Sequence, residues 1–347
     1  MSLIVSGYNP YYQLITESNG TDQEGDRCVI SPKHVDFDVD SLVHISCGCD
    51  HTLFLYNNGI AFGVGDRRYF EKCTERIIAN SLFQVDVTNG EKIKWMYSGM
   101  KYAVYLTEDG NVYLNNGKKI MDNIVYVSGN VHRPFMIDKN GVLHKLKNFK
   151  NMEIISYHLP LPVCDVAAGK ATALALTTDG KIYGYGKLNP DQTKQFDLIG
   201  DLADIRFKRV FGRADFMGAI TNDGIGFYVD LCTDRKLKPY NTNLKVKSME
   251  FGYHMGFFML EGDEVVCFGH NASAQLFLRT TTGNEGFVKP PLIQGVKSIY
   301  SGNCHSIACT KEIPSIHPGL QFFFGAKEID KLLAFLNYTV PDSNNKK

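Results

Sequence analysis

The sequence predicts an all-β protein: a seven-bladed β-propeller closed by its N-terminal strand and followed by a short C-terminal helix. Three observations carry that prediction. A β-rich unit recurs seven times, and from Gly48 to Gly302 the six intervals average about 42 residues, the length of one four-stranded blade. The first five copies each carry an Asn-Gly or Asp-Gly turn eleven or twelve residues after their glycine. The seventh copy lacks a third strand, and the start of the chain has one to spare.

The unit reads as a β-rich run, Gly, two variable residues, a His or its substitute, and an apolar run. Its copies are Ser46–His51, Tyr97–Tyr102, Val127–His132, Ala167–Thr172, Val210–Asp215, Glu250–Met255 and Tyr300–His305. The turns Asn58-Gly59, Asp109-Gly110, Asn140-Gly141, Asp179-Gly180 and Asp223-Gly224 tolerate positive φ, so each joins two antiparallel strands; the sixth copy has Glu261-Gly262-Asp263 instead. Strand-like runs follow, such as Ile182–Gly186 and Val265–Gly269. After Cys309 comes Lys311-Glu312-Ile313-Pro314, with no turn dipeptide and no third strand. Leu3–Asn9 followed by Gln13-Leu14 matches Val265–Asn271 followed by Gln275-Leu276, so Leu3–Ser6 is expected to complete the last blade and cover its open edge.

Length alone would suggest two domains, but the repetition assigns 1–314 to one propeller and 315–347 to an extension. In the extension Ile329, Leu332, Leu333 and Leu336 fall at helical spacing after Phe322-Phe323-Phe324, which predicts one amphipathic helix packed on the propeller. A monomer is expected, with that helix as the element through which a dimer would form. The tail Pro341–Lys347 reads as disordered.

With 44% apolar residues the chain can bury a sizeable core. Its 37 basic and 37 acidic side chains cancel, which argues against holding nucleic acid or an anionic membrane by bulk charge. No apolar window is long enough to span a bilayer, and Met1–Tyr8 lacks a signal-peptide pattern, so a cytoplasmic or nuclear protein is expected. The nine scattered cysteines then read as reduced thiols.

The unit Gly-x-x-His, apolar run, Asp-Gly, strand, Gly-x-Asn-x-x-x-Gln-Leu resembles the repeat of the regulator of chromosome condensation family, over about residues 1–312. The resemblance implies a seven-bladed propeller. It is less specific for function, because that family includes exchange factors, photoreceptors, ubiquitin ligase modules and scaffolds. The family's usual third-strand Trp is replaced throughout, and the one tryptophan is Trp95, which disfavours the photoreceptor role. In the family's exchange factor the Gly-x-x-His turns face a small GTPase with carboxylates and histidines. Asp50, His254 and Asp215 match that usage, Lys101, Lys170 and Arg213 do not, and no copy shows an inserted wedge-like hairpin.

No P-loop, dinucleotide fingerprint, His-Glu-x-x-His or Gly-x-Ser-x-Gly is present, so neither an enzyme nor a cofactor is expected. Cys47, Cys49 and His51 alternate and would suit zinc if extended, but without a paired Cys-x-x-Cys they are read as packing groups. His51, His132 and His305 occupy the fourth position of the turn, where other copies have Tyr102, Thr172, Asp215 and Met255. Such interchange points to fixing the turn through a backbone hydrogen bond rather than to chemistry.

What remains is surface. Equivalent turns must ring one face of the disc, and loops on a rigid scaffold are where binding resides. Asp50, Lys101, Arg133, Lys170, Arg213, Asp215, Tyr253 and His254 are the expected partner-binding residues. Arg67, Arg68 and Tyr69, in the mixed-charge loop Asp66–Lys72, form a second expected surface, since Arg and Tyr are favoured anchors. The reading is a non-enzymatic scaffold for a protein partner, with guanine nucleotide exchange on a Ran-like small GTPase as the alternative.

Overall fold

A computed structural model describes residues 2–72, 75, 77–189, 194–313 and 317–324. The chain forms seven antiparallel sheets arranged as the blades of a propeller. Blade 1 runs Leu42–Cys47, His51–Tyr56, Ala61–Asp66 and Ile78–Gln84 from the axis outward. The innermost strands of blades 2 to 6 are Ile93–Ser98, Ile124–Gly129, Val163–Ala168, Phe207–Arg213 and Val246–Phe251, each followed by three strands further out.

Blade 7 is built from both chain ends. Ser298–Ser301 and His305–Cys309 supply its inner strands, and Ser2–Tyr8 pairs antiparallel with His305–Cys309, Leu3 opposite Cys309 and Val5 opposite Ile307. Leu3 and Val5 are fully buried in the same cluster as Ile307, Cys309 and Leu42, so closure is made by apolar burial as well as by ladder bonds. The N-terminal segment gives more than the expected strand: Arg27–Asp36 adds a fourth and pairs in a short hairpin with Gly20–Thr21 at the sheet's outer edge. Its tip, Asp22–Asp26, is closed by Asp22 Oδ1, which accepts from the N–H groups of Glu24 and Asp26.

The buried loop after the third strand explains the repeat's Asn. Asn271 Oδ1 accepts from Leu276 N–H at 2.8 Å while its amide donates to Thr280 O at 2.7 Å, and Asn9 does the same with Leu14 and Thr16. Burying these amides is tolerable because their polar atoms are paired.

In six blades the innermost pair has a β-bulge at the same place, for example between Leu42 and His44, Ile93 and Trp95, and Phe207 and Arg209. A bulge re-aims the residue that follows it. His44, Trp95, Tyr126, Asp165, Arg209 and Ser248 take that position, and all but Asp165 form one tier of the channel lining. Two residues on, Ser46, Tyr97, Ser128, Ala167, Phe211, Glu250 and Tyr300 form the next.

The C-terminal extension begins as helix over 318–324, so Phe322–Phe324 lie within a helix rather than ahead of one. Leu320, Phe323 and Phe324 pack on the cluster shared by blades 4 and 5. The expected boundary at Pro314, the pattern Ile329–Leu336 with the dimer it was to mediate, and the tail Pro341–Lys347 lie outside the described residues.

Candidate functional site

The alternation of antiparallel strands puts the first turn of every blade, and the loop after its third strand, on one face of the disc. The Asn-Gly and Asp-Gly turns and the segment after Cys309 lie on the other. The first face therefore carries the Gly-x-x-His turns, the loop with Arg67–Tyr69 and the hairpin tip Asp22–Asp26.

Each turn is closed by a backbone bond from its first to its fourth residue, as from Gly48 N–H to His51 O at 2.9 Å. The fourth side chain lies over the glycine, and that of Tyr102 also donates its hydroxyl to a backbone carbonyl of the next turn, Asn130 O at 2.8 Å. A Cβ on Gly48 would stand 2.1 Å from the His51 ring, on Gly99 2.2 Å from Tyr102, and on Gly302 2.3 Å from His305. His51 stacks on Tyr69, neither of its nitrogens has a hydrogen-bond partner among the described residues, and burial holds it well below its ordinary pKa. His305 is likewise pushed down to about 3 by burial. Burial thus keeps these two histidines neutral, packed against the turn glycines.

Two copies slip by one residue against the expected alignment. In blade 3 the first-to-fourth bond runs from Asn130 N–H to Arg133 O, so His132 is the exposed third residue of its turn. Asn130 replaces glycine by accepting from the N–H groups of His132 and Arg133 with its own side chain, at 2.7 and 2.6 Å. Gly129 lies within the strand, where a Cβ would clash with the Tyr102 hydroxyl that donates to Asn130 O. In blade 5 Arg213 pairs with Phe216, so Arg213 holds the glycine position and Asp215 the third, not the fourth.

The neighbouring turns are tied to one another. Met100 N–H donates to Val131 O, Lys170 to Ala214 O, Tyr253 to Asn303 O and Asn303 to Gly48 O, between 2.5 and 3.2 Å. This girdle holds the variable tips in fixed relation.

Of the expected rim residues, Lys101 and Lys170 are exposed, and Asp50, Arg133, Asp215, Tyr253, His254, Arg67 and Arg68 are half-buried. Asp215 lies 4.0 Å from His254 Nδ1, which stands beside His270. Arg68 is bound to Asp66 at 2.6 Å, and Arg67 to Glu71 at 2.5 Å while sitting over Phe83. Two residues are not available on the rim. Tyr69 is buried under His51, and its carbonyl accepts from the Tyr105 hydroxyl.

Arg213 is the second. The residue is 9% exposed and its guanidinium lies across the channel, donating to Ser301 O at 3.3 Å and Ser98 O at 3.2 Å on blades 7 and 2. Below it is a cavity of about 300 Å³. Burial pushes the Glu250 carboxyl up to about 7, opposed by the Ser301 N–H that it accepts at 2.8 Å and by Arg213. Tyr97 also faces this space, and its hydroxyl has no partner among the described residues.

The far mouth is covered by the C-terminal segment. Leu320 N–H donates to His317 Nδ1 at 3.1 Å, so His317 Nε2 carries the proton and donates to Asp165 Oδ1 at 2.8 Å. Burial would raise the Asp165 carboxyl, but His317, Arg209 and the Val210 N–H outweigh it and hold it below its ordinary value. His317 lies on Tyr126, next to Trp95, on which His44 stacks at 3.9 Å. Among the described residues no group of three His, Cys, Asp or Glu side chains is placed to hold a metal. The Cys47 thiol is buried and raised to about 12.

Sequence reasoning missed the acidic hairpin. Its Asp22, Glu24 and Asp26 stand near Asp50, close enough to act on the Cys304 thiol and the Tyr8 hydroxyl with it. The signal was there in Thr21-Asp22-Gln23-Glu24-Gly25-Asp26, an Asx turn with a glycine at φ +87°.

Fold and repeat together define a class. The family model for the regulator of chromosome condensation (RCC1) repeat matches residues 163–190, most of blade 4. Among solved structures, human WBSCR16 superposes with a TM-score of 0.74 at 11% identity, covering 90% of this chain and 99% of that one. Prp20p from Saccharomyces cerevisiae, a protein with binding properties to Gsp1p and histones, gives 0.72 at 12% identity, over 88% of this chain and 90% of that one. Yeast RCC1 (Prp20) bound to Kap60 gives 0.70 at 13%, over 88% of each chain. The chain carries one segment that matches this repeat and has the seven-bladed fold those structures share.

Proposed function

We propose that the protein is a protein-binding platform that works through the face bearing the Gly-x-x-His turns, without covalent chemistry of its own. The observation that carries this reading is the division of charge on a rigid face. Asp22, Glu24, Asp26 and Asp50 occupy the sector of blades 7 and 1, while Lys101, Arg133 and Lys170 occupy that of blades 2 to 4. The inter-turn girdle fixes both, so a partner with complementary charges would bind without the cost of ordering the loops.

Affinity capture with the intact chain tests it. Proteins retained by the wild type are expected to be lost with Asp50→Lys or Lys170→Glu and kept with Lys139→Glu, a control on the opposite face. Retention insensitive to both turn-face changes would refute the reading.

A second reading, guanine nucleotide exchange on a Ran-like GTPase, draws on Asp50 and on the Asp215–His254 pair at the tips, and on the fold shared with a Gsp1p-binding protein. It predicts faster release of a labelled guanine nucleotide from such a GTPase, abolished by Asp50→Lys with His254→Ala. No acceleration by the wild type would remove it.

A further inference from the structure

We propose that the crescent of Lys101, Arg133 and Lys170, with His132 at its centre, docks an acidic segment of a partner protein. The proposal rests on the turn face being the binding face and names the chemistry of what binds there. The three cations come from the turns of three consecutive blades. None of them makes an ion pair among the described residues, whereas Lys236, Lys289, Arg67 and Arg68 each have a carboxylate partner.

The field at the centre of the crescent is one-sided. The groups acting on the His132 imidazole, besides burial, are Arg133, Lys170 and Lys101, and all of them disfavour its charge. Unopposed positive charge on a fixed surface is relieved by an anion.

The donors are also held in place. Arg133 Nε donates to Lys147 O at 2.9 Å and Nη1 to His132 O at 2.8 Å, with the guanidinium 5.0 Å from the centre of the Phe149 ring. Two of its five N–H groups are thereby used, and the rest remain for a carboxylate. The Met100–Val131 bond ties two of the contributing turns together.

The choice of a protein over a nucleic acid follows from the rest of the face. A polyanion running past the crescent would meet Asp22, Glu24, Asp26 and Asp50, and the chain's net charge is zero. A short acidic segment ends before it reaches them.

The test is fluorescence anisotropy of a labelled hexapeptide of alternating Glu and Asp with the full chain, and of a short DNA duplex in parallel. The peptide is expected to bind, with affinity lowered at least about tenfold by Lys101→Glu with Lys170→Glu, and lowered by raising salt from about 50 to about 300 mM. Both lysines are exposed and unpaired, so that variant should fold as the wild type does, which circular dichroism checks. Arg133→Lys should lose part of the affinity, because a lysine keeps the charge but not the fork. Unchanged affinity in the double variant, no peptide binding, or duplex DNA bound as tightly through the same residues would each overturn the proposal. If the peptide fails while protein capture still depends on Asp50, the crescent falls and the platform stands; if capture ignores every turn-face change, the platform falls.

Discussion

Arg213→Met removes the guanidinium that crosses the channel and leaves an apolar stem of similar length. Two charge-assisted bonds are lost, to Ser98 O and Ser301 O at 3.2 and 3.3 Å. Bonds to a charged donor contribute about 1.5–3 kcal/mol each. These are long ones, and water in the channel can replace part of them, so the expected loss is about 2–3 kcal/mol. At roughly 2.1 cal/mol/K of unfolding entropy per residue over 347 residues, each kcal/mol is worth about 1.4 °C, and Tm should fall by about 3–4 °C. Differential scanning calorimetry reads this directly. Arg213→Lys should recover only part of the loss, since an ammonium cannot reach both carbonyls. A second readout follows from Glu250, whose carboxyl Arg213 helps to lower. That carboxyl titrates near 7 in the fold, against an ordinary value of 4.5, so the fold holds a proton that the unfolded chain has released. Stability is therefore fully present below about 4.5 and is lost as pH rises through 7. Without Arg213 the window should extend upward. A variant that melts with the wild type and keeps its pH profile would refute the bridging role.

Three further outcomes are expected. Glu250→Gln should flatten the stability profile between pH 5 and 8 and make the chain more stable than wild type at pH 8, measured by urea unfolding; a profile as steep as wild type would contradict the assignment. Gly302→Ala would drive a Cβ to 2.3 Å from the His305 ring and 2.5 Å from Gly48 O, and should cost about 2–3 kcal/mol by overpacking. An unshifted urea midpoint would show that the ring does not need the glycine. Leu3→Ala, in the strand that closes the ring, should cost about 2–5 kcal/mol if blade 7 is built from both chain ends. A loss below about 1 kcal/mol would mean that the strand is not packed there.

The circular architecture was legible because it repeats: seven copies at blade spacing, and a start that reads like Val265–Asn271. Turn register was less so, because Gly129 and Gly212 stand one residue ahead of the true turn positions and serve other needs. The outer strand Arg27–Asp36 was hidden by its proline and mixed charges, since an edge strand has little apolar pattern to show. Arg213 looked like a rim residue because nothing local reveals that its side chain crosses the channel to Ser98 O and Ser301 O. The exposed cations of blades 2 to 4 were visible as residues, but their isolation from carboxylates required the folded ring.

The central claim, that partners meet the face of the Gly-x-x-His turns, is tested most directly by crosslinking in cells. A photoreactive amino acid placed at Lys170 and, separately, at Lys139 on the opposite face samples both sides of the disc. The account predicts protein adducts from position 170 and none from position 139; adducts from position 139 alone would contradict it.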